Sequence, residues 1–173
     1  MKTRISVFFG ALISFTAVSS VARADWYMVG PREFKPENST LVYGPLADGI
    51  KLSGGVADYL VAPIRLPAGS AMTSVFCQLY DAASAFDINV NFQEIQTDDN
   101  AGVISRSIFS FNSSGSTGHR KYADTTASGS AIIKTFDNAA AGGANRYYSY
   151  VLRVRLNGSS TTALKSCAIG YTP

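Results

Sequence analysis

IRLPAGSAMTSVFCQLYDAASAFDINVNFQEIQ, running from Ile64 to Gln96, decides the fold. From Ala71 to Tyr80 the chain alternates. Thr73, Val75, Cys77 and Leu79 share one face; Met72, Ser74, Phe76, Gln78 and Tyr80 share the other. The first set carries a cysteine and two aliphatics and reads as the core side. Ile88, Val90 and Phe92 then alternate with Asn89, Asn91 and Gln93, which is a strand with one dry and one wet face. Pro67-Ala68-Gly69 turns the chain ahead of the first strand, and Asp81 to Phe86 is a small, Ala-rich loop between the two. The stretch therefore reads as the central strand pair of a sandwich, not as a motif.

Upstream, Asp58 to Leu66 places Leu60, Ala62, Ile64 and Leu66 on one face. Pro63 within it lacks a ladder donor, which puts this strand at an edge or a bulge. Ile50 to Ser53 and Thr40 to Tyr43 are short strand candidates, with turn signals at Gly44-Pro45 and Asp48-Gly49. Asp25 to Pro36 has no clear period and reads as an arm or first edge strand. It holds the single tryptophan, Trp26, whose preferred reading is a plug packed on the core, ahead of a ligand contact.

Downstream, Val103 to Asn112 is a strand whose apolar residues switch face near Ile108 and Phe109, which predicts a bulge. Ser113 to Thr126 is the longest polar segment and reads as a flexible loop. Ala131 to Phe136 is a further strand. Arg146 to Asn157 is the strongest, with Tyr148, Tyr150, Leu152, Val154 and Leu156 in phase. Ala163 to Thr172 returns with Cys167, Ile169 and Tyr171 in phase, so the last two strands read as a terminal hairpin. No window shows a helical stripe. The expectation is an all-β chain with a single β-sandwich, jelly-roll or Greek-key, of about eight or nine short strands.

Residues 1–24 stand apart. Lys2 and Arg4 precede a largely apolar run from Ile5 to Val18, and Ala22-Arg23-Ala24 ends it with small residues where a signal peptidase reads. The run is too short to span a bilayer about 30 Å thick. It reads as a secretory signal peptide, leaving residues 25–173 as one domain in a secreted or periplasmic protein. Lys2, Arg4 and Arg23 leave with it. Twelve of the fifteen basic residues then face all twelve acidic ones, and the formal charge of +3 disappears. No basic excess remains to argue for nucleic acid or anionic lipid. Cys77 and Cys167 are the only cysteines, and an even pair in an exported chain reads as a disulfide tying the central strand to the last one across two facing sheets.

The residues offer little catalytic chemistry. His119 is the only histidine, and it sits in the polar Ser113 to Thr126 segment beside Arg120 and Lys121 without a GxSxG elbow. Glu94 is the best-placed acid for hydrolysis, but no second carboxylate stands out as its partner. Asp98, Asp99 and Asn100 cluster in one turn and are calcium candidates, although turn formation alone accounts for them. No cofactor is implied. The best binding signal is aromatic: Tyr80 and Tyr147 project opposite the core, near Arg153 and Arg155, where they can stack on a sugar ring or a protein partner.

The run VAPIRLPAGSAMTSVFCQLYD, followed by FDINVNF, resembles a pattern in uncharacterised secreted bacterial β-sandwich proteins: an apolar strand into LPxG, a strand ending in Tyr-Asp, then Asp-hydrophobic-x-Val. The closing CAIGYTP is similar to their last strand. The resemblance covers about half of the chain after the leader. It implies a sandwich and export, and supplies neither an activity nor catalytic residues. Export and one cysteine pair are also similar to pilin-like subunits, but the cysteines here are far apart and Tyr171 is followed by Thr172 and Pro173. The function expected is a non-enzymatic exported module binding a surface, glycan or protein. A structural subunit of a surface assembly and a small secreted hydrolase are the alternatives. An outer-membrane barrel shares the length and alternation, but short strands, the disulfide and the lack of a terminal aromatic stand against it.

Overall fold

The computed structural model describes residues 23–38, 42–46, 49–83, 85–99, 102–113, 118–126, 131–138, 145–158 and 161–173. Most of the expected signal peptide, residues 1–22, lies outside them. Twelve strands form among the described residues. They are β1 (Asp25–Val29), β2 (Lys35–Pro36), β3 (Val42–Leu46), β4 (Gly49–Ser53), β5 (Asp58–Ile64), β6 (Ala71–Asp81), β7 (Asn89–Asp98), β8 (Gly102–Asn112), β9 (Gly118–Asp124), β10 (Phe136–Asn138), β11 (Asn145–Leu156) and β12 (Thr162–Thr172).

Two antiparallel sheets result. The first runs β3-β4-β12-β6-β9, with β1 also paired to β12; the second runs β2-β5-β11-β7-β8, with β10 also paired to β11. The eight strands β4 to β9, β11 and β12 follow the jelly-roll order, four to a sheet. The short strands β1, β2, β3 and β10 extend the edges, which accounts for the excess over eight or nine.

The alternation that marks the central strands places Val75, Cys77, Leu79, Leu164 and Ile169 of the first sheet against Leu60, Val90, Phe92, Leu152 and Val154 of the second, all buried. Phe92 stacks on Tyr150 at 6.0 Å and meets Phe109 edge-on at 6.4 Å. Three bulges adjust the pattern, one of them at Lys165, which is passed over in the β6–β12 register. Ile108 is passed over in the β7–β8 register, so Ile108 and Phe109 are both buried, as their order predicts. Thr73 is passed over in the β6–β12 register, so Thr73 is exposed while Met72 joins the core, against the expectation of an unbroken face.

Further expectations change. Ala131 to Phe136 is not a strand: only Ile132 makes an isolated bridge, to Ala71, and β10 begins at Phe136. Gly44-Pro45 does not turn the chain; both lie in β3, an edge strand, where a missing amide donor is tolerated. Gly118–Asp124 is strand β9 on the flank of β6, so the polar segment after Ser113 is only partly loop. The last two strands are not a hairpin: β11 lies in the second sheet and β12 in the first. β6 and β7 are divided in the same way. The disulfide therefore does not cross between sheets. Cys77 and Cys167 are directly opposed on neighbouring β6 and β12, with Cα atoms 4.1 Å apart. It does join the central strand to the last one. Pro63 lies beyond Leu60 and Val61, the only residues of β5 that β2 covers, so it sits where that strand's edge is open.

One end of the sandwich is closed by polar groups. Asp81, at the end of β6, is 4% exposed. Its Oδ2 accepts a hydrogen bond from the Ser113 hydroxyl, its Oδ1 accepts one from the Ala83 amide at 2.9 Å, and Ser113 Oγ accepts from the Ile88 amide at 2.7 Å. The carboxylate thus ties the first sheet to the end of β8 in the second.

Candidate functional site: an aromatic sheet face

Alternation fixes which side chains leave the sandwich. In β1, Tyr27 and Val29 take the inward parity, so Trp26 and Met28 point out, 53% and 61% exposed. Trp26 is therefore not a core plug. Opposite it on β12 is Gly170, and beyond that Ser74 on β6; opposite Met28 are Ala168 and then Phe76. The small residues of β12 leave a trough between the large residues of β1 and β6. Trp26 and Phe76 meet across it, ring centroids 5.2 Å apart and edge to face.

Along β6 the same outward parity gives Gln78 and Tyr80. Lys121 of β9 pairs with Gln78, and His119 pairs with Tyr80. The His119 ring lies 4.6 Å from that of Tyr80, and the Lys51 ammonium stands 5.6 Å from the Tyr80 centroid. A shallow cleft of about 480 Å³ runs over this face, lined by Trp26, Met28, Phe76, Gln78, Lys121, Ser166 and Ala168, with Cys77 and Cys167 beneath. The surface is largely apolar with a few polar groups at its margin, the usual make-up of a ligand site.

The structure does not gather the sequence candidates into one site. Tyr80 lies on the first sheet; Tyr147, Arg153 and Arg155 lie on β11 of the second, on the opposite outer face. There Tyr147 is exposed and tilts against Phe136 at 5.3 Å. Arg153 stacks on Tyr59 at 4.1 Å, pairs with Glu37 and donates to Gln93 Oε1 at 3.4 Å. Arg155 lies 5.5 Å from the Phe86 ring. The polar groups of that face also engage one another, Asn89 donating to Asn112 and Ser107 to Asn91, both at 2.8 Å. Sequence reading found Tyr80 but missed Phe76, which shares its parity, and misplaced Trp26, whose direction depends on how β1 docks.

The other candidates resolve as follows. Glu94 lies inside β7, faces inward and is 8% exposed. Its Oε2 accepts from the Tyr150 hydroxyl at 3.3 Å, and Arg106 Nε is 3.9 Å from its Oε1. Tyr150 in turn accepts from the Lys134 amide at 2.9 Å. Burial, with the Glu94 carboxylate alongside, pushes the Tyr150 hydroxyl up to about 12. Neither Glu94 nor His119 lines the Trp26 cleft. Asp98 ends β7 opposite Gly102 and Arg146, Asp99 is exposed in the turn, and Asn100 lies outside the described residues. Among the described residues no three His, Cys, Asp or Glu side chains form a metal-sized group, and no helix is long and apolar enough to cross a membrane.

No protein-family model and no curated protein matches the sequence. Six chains of solved structures are similar to it. One is the CBM36-1 domain of a multidomain xylanase from the hindgut metagenome of Trinervitermes trinervoides, 9% identical with a TM-score of 0.47, over 84% of this chain and 97% of that one. Another is TmCBM61 in complex with β-1,4-galactotriose, 8% identical with a TM-score of 0.33, over 85% of this chain and 86% of that one.

Proposed function

We propose that the chain is an exported, non-enzymatic module that binds a glycan through the outer face of its first sheet. The observation that carries this reading is the Trp26–Phe76 pair, an exposed indole against a half-buried phenyl ring, over the trough that Ala168 and Gly170 leave on β12. A pyranose presents an apolar C–H face and a rim of hydroxyls. The indole and phenyl rings match the first, and Gln78, Ser166 and Lys121 at the margin match the second. The leader-like residues 1–24 and the disulfide support export.

The test is native electrophoresis of the purified protein through gels containing soluble polysaccharides, neutral and acidic. Retardation by at least one of them is expected, and Trp26→Ala and Phe76→Ala abolish it while melting within a few degrees of the parent. Unretarded migration in every gel, with capture of a protein at the same face, replaces the glycan with a protein partner. Polymer ladders of the native protein support a surface-assembly subunit instead.

A further inference from the structure

Among the described residues, the charged side chains on the outward parity of this sheet are all of one sign. The strands of the first sheet carry three acidic residues, Asp25, Asp81 and Asp124. None stands on the outward parity. Asp25 pairs with Tyr171, on the side away from Trp26; Asp81 is buried against Ser113; Asp124 accepts from the Ser110 and Thr126 amides. The outward positions carry Lys51 on β4 and Lys121 on β9, with His119 also on β9, opposite Tyr80. This is not a by-product of a basic protein, because the chain without its leader has twelve residues of each sign. The segregation belongs to the sheet face itself.

We infer that the glycan bound there is anionic, its carboxylate or sulfate groups meeting Lys121 and Lys51 while its sugar rings lie on Trp26 and Phe76. This rests on the glycan-binding reading and narrows it to a ligand class. Lys121 reaches the cleft directly, and the Lys51 ammonium is held near the Tyr80 ring at its far margin. The two lysines thus bracket the Gln78–Tyr80 half of the site, with the apolar half at Trp26 and Met28. Exposed charges contribute modestly and are screened over a Debye length of about 8 Å at physiological salt. They therefore select among glycans, and the aromatic pair supplies most of the contact.

Binding is read by the fluorescence of Trp26, the only tryptophan, against three probes: polygalacturonate for carboxylate, dextran sulfate for sulfate, and unmodified dextran as a neutral control. The expected result is tighter binding to one anionic probe, weakened by added salt. Lys121→Gln and Lys51→Gln each lower that affinity about three- to fivefold, and Lys121→Arg restores it. The stronger anionic arm identifies the group recognised. Equal, salt-independent binding to dextran overturns the inference and leaves glycan binding standing. Anionic binding that survives Trp26→Ala in native electrophoresis shows simple ion exchange and also overturns it. Failure of all three probes, and of the wider neutral and acidic panel, overturns both readings.

Discussion

Trp26 lies over Gly170. The two are paired across β1 and β12, and a Cβ on Gly170 would stand 3.2 Å from Cζ3 of the indole, 2.5 Å from Ser74 Oγ and 2.9 Å from Thr73 Oγ1. The indole rests on bare backbone there, which is how so large a ring lies along the sheet instead of standing off it.

Gly170→Ala is therefore expected to lift the indole and shift the Ser74 and Thr73 hydroxyls without unfolding the protein, since the crowded atoms belong to side chains and not to the backbone. As the only tryptophan, Trp26 reports this directly through a red-shifted emission, accompanied by weaker glycan binding. Unchanged emission and affinity would show that the contact with Gly170 does not orient the ring.

Replacing both cysteines by alanine, Cys77→Ala with Cys167→Ala, tests the bridge. It closes a loop of 90 residues. In the chain-entropy model this contributes up to roughly 4–5 kcal/mol, less where the unfolded chain keeps structure. The two residues are already neighbours in the β6–β12 ladder, so the fold is expected to survive with a lower urea midpoint and an unaltered far-ultraviolet spectrum. Equal midpoints for parent and variant under oxidising conditions would defeat this.

Ser113→Ala removes the hydroxyl that serves Asp81 and Ile88 at once. It leaves a buried carboxylate oxygen and a backbone amide without their partner, at a cost of roughly 1–3 kcal/mol. Chemical denaturation measures the loss, and hydrogen exchange at the Ile88 amide is expected to quicken more than that at Val75. Uniform quickening would mean that the link is not local to this end.

Tyr150 gives a pH dependence of known sign. Its hydroxyl ionises near 10 in the unfolded chain and at about 12 in the fold. Between those values the unfolded chain has lost the proton that the folded chain keeps. This contribution is fully present below pH 10 and is lost as pH rises toward 12. Tyr150→Phe is expected to destabilise at neutral pH, through lost hydrogen bonds to Glu94 and the Lys134 amide, and to decline less steeply above pH 10. Parallel stability curves for parent and variant would refute the assignment.

Much of the interior was legible from the chain alone. Period two at Ile88, Val90 and Phe92, and again from Tyr150 to Leu156, selected the buried face because burial is the only force that sorts alternate side chains. The face switch at Ile108 and Phe109 exposed one bulge. The bulge at Thr73 stayed hidden, because Met72 and Ser74 flank it without a comparable run of large apolar residues. Tyr80 was visible as an outward aromatic; the site it belongs to was not.

Sequence by itself determined the all-β class, most strands of the core, the cysteines and most of the residues that face inward. Tertiary structure alone decided which strand lies beside which. Backbone donors and acceptors are the same along every strand, so alternation says which face is buried but not which neighbour supplies the hydrogen bonds. That freedom placed β6 and β7 in different sheets, separated Tyr80 from Tyr147, Arg153 and Arg155, and kept Cys77 and Cys167 within one sheet. It also set β1 against β12, so that Trp26 came to rest outside, over Gly170.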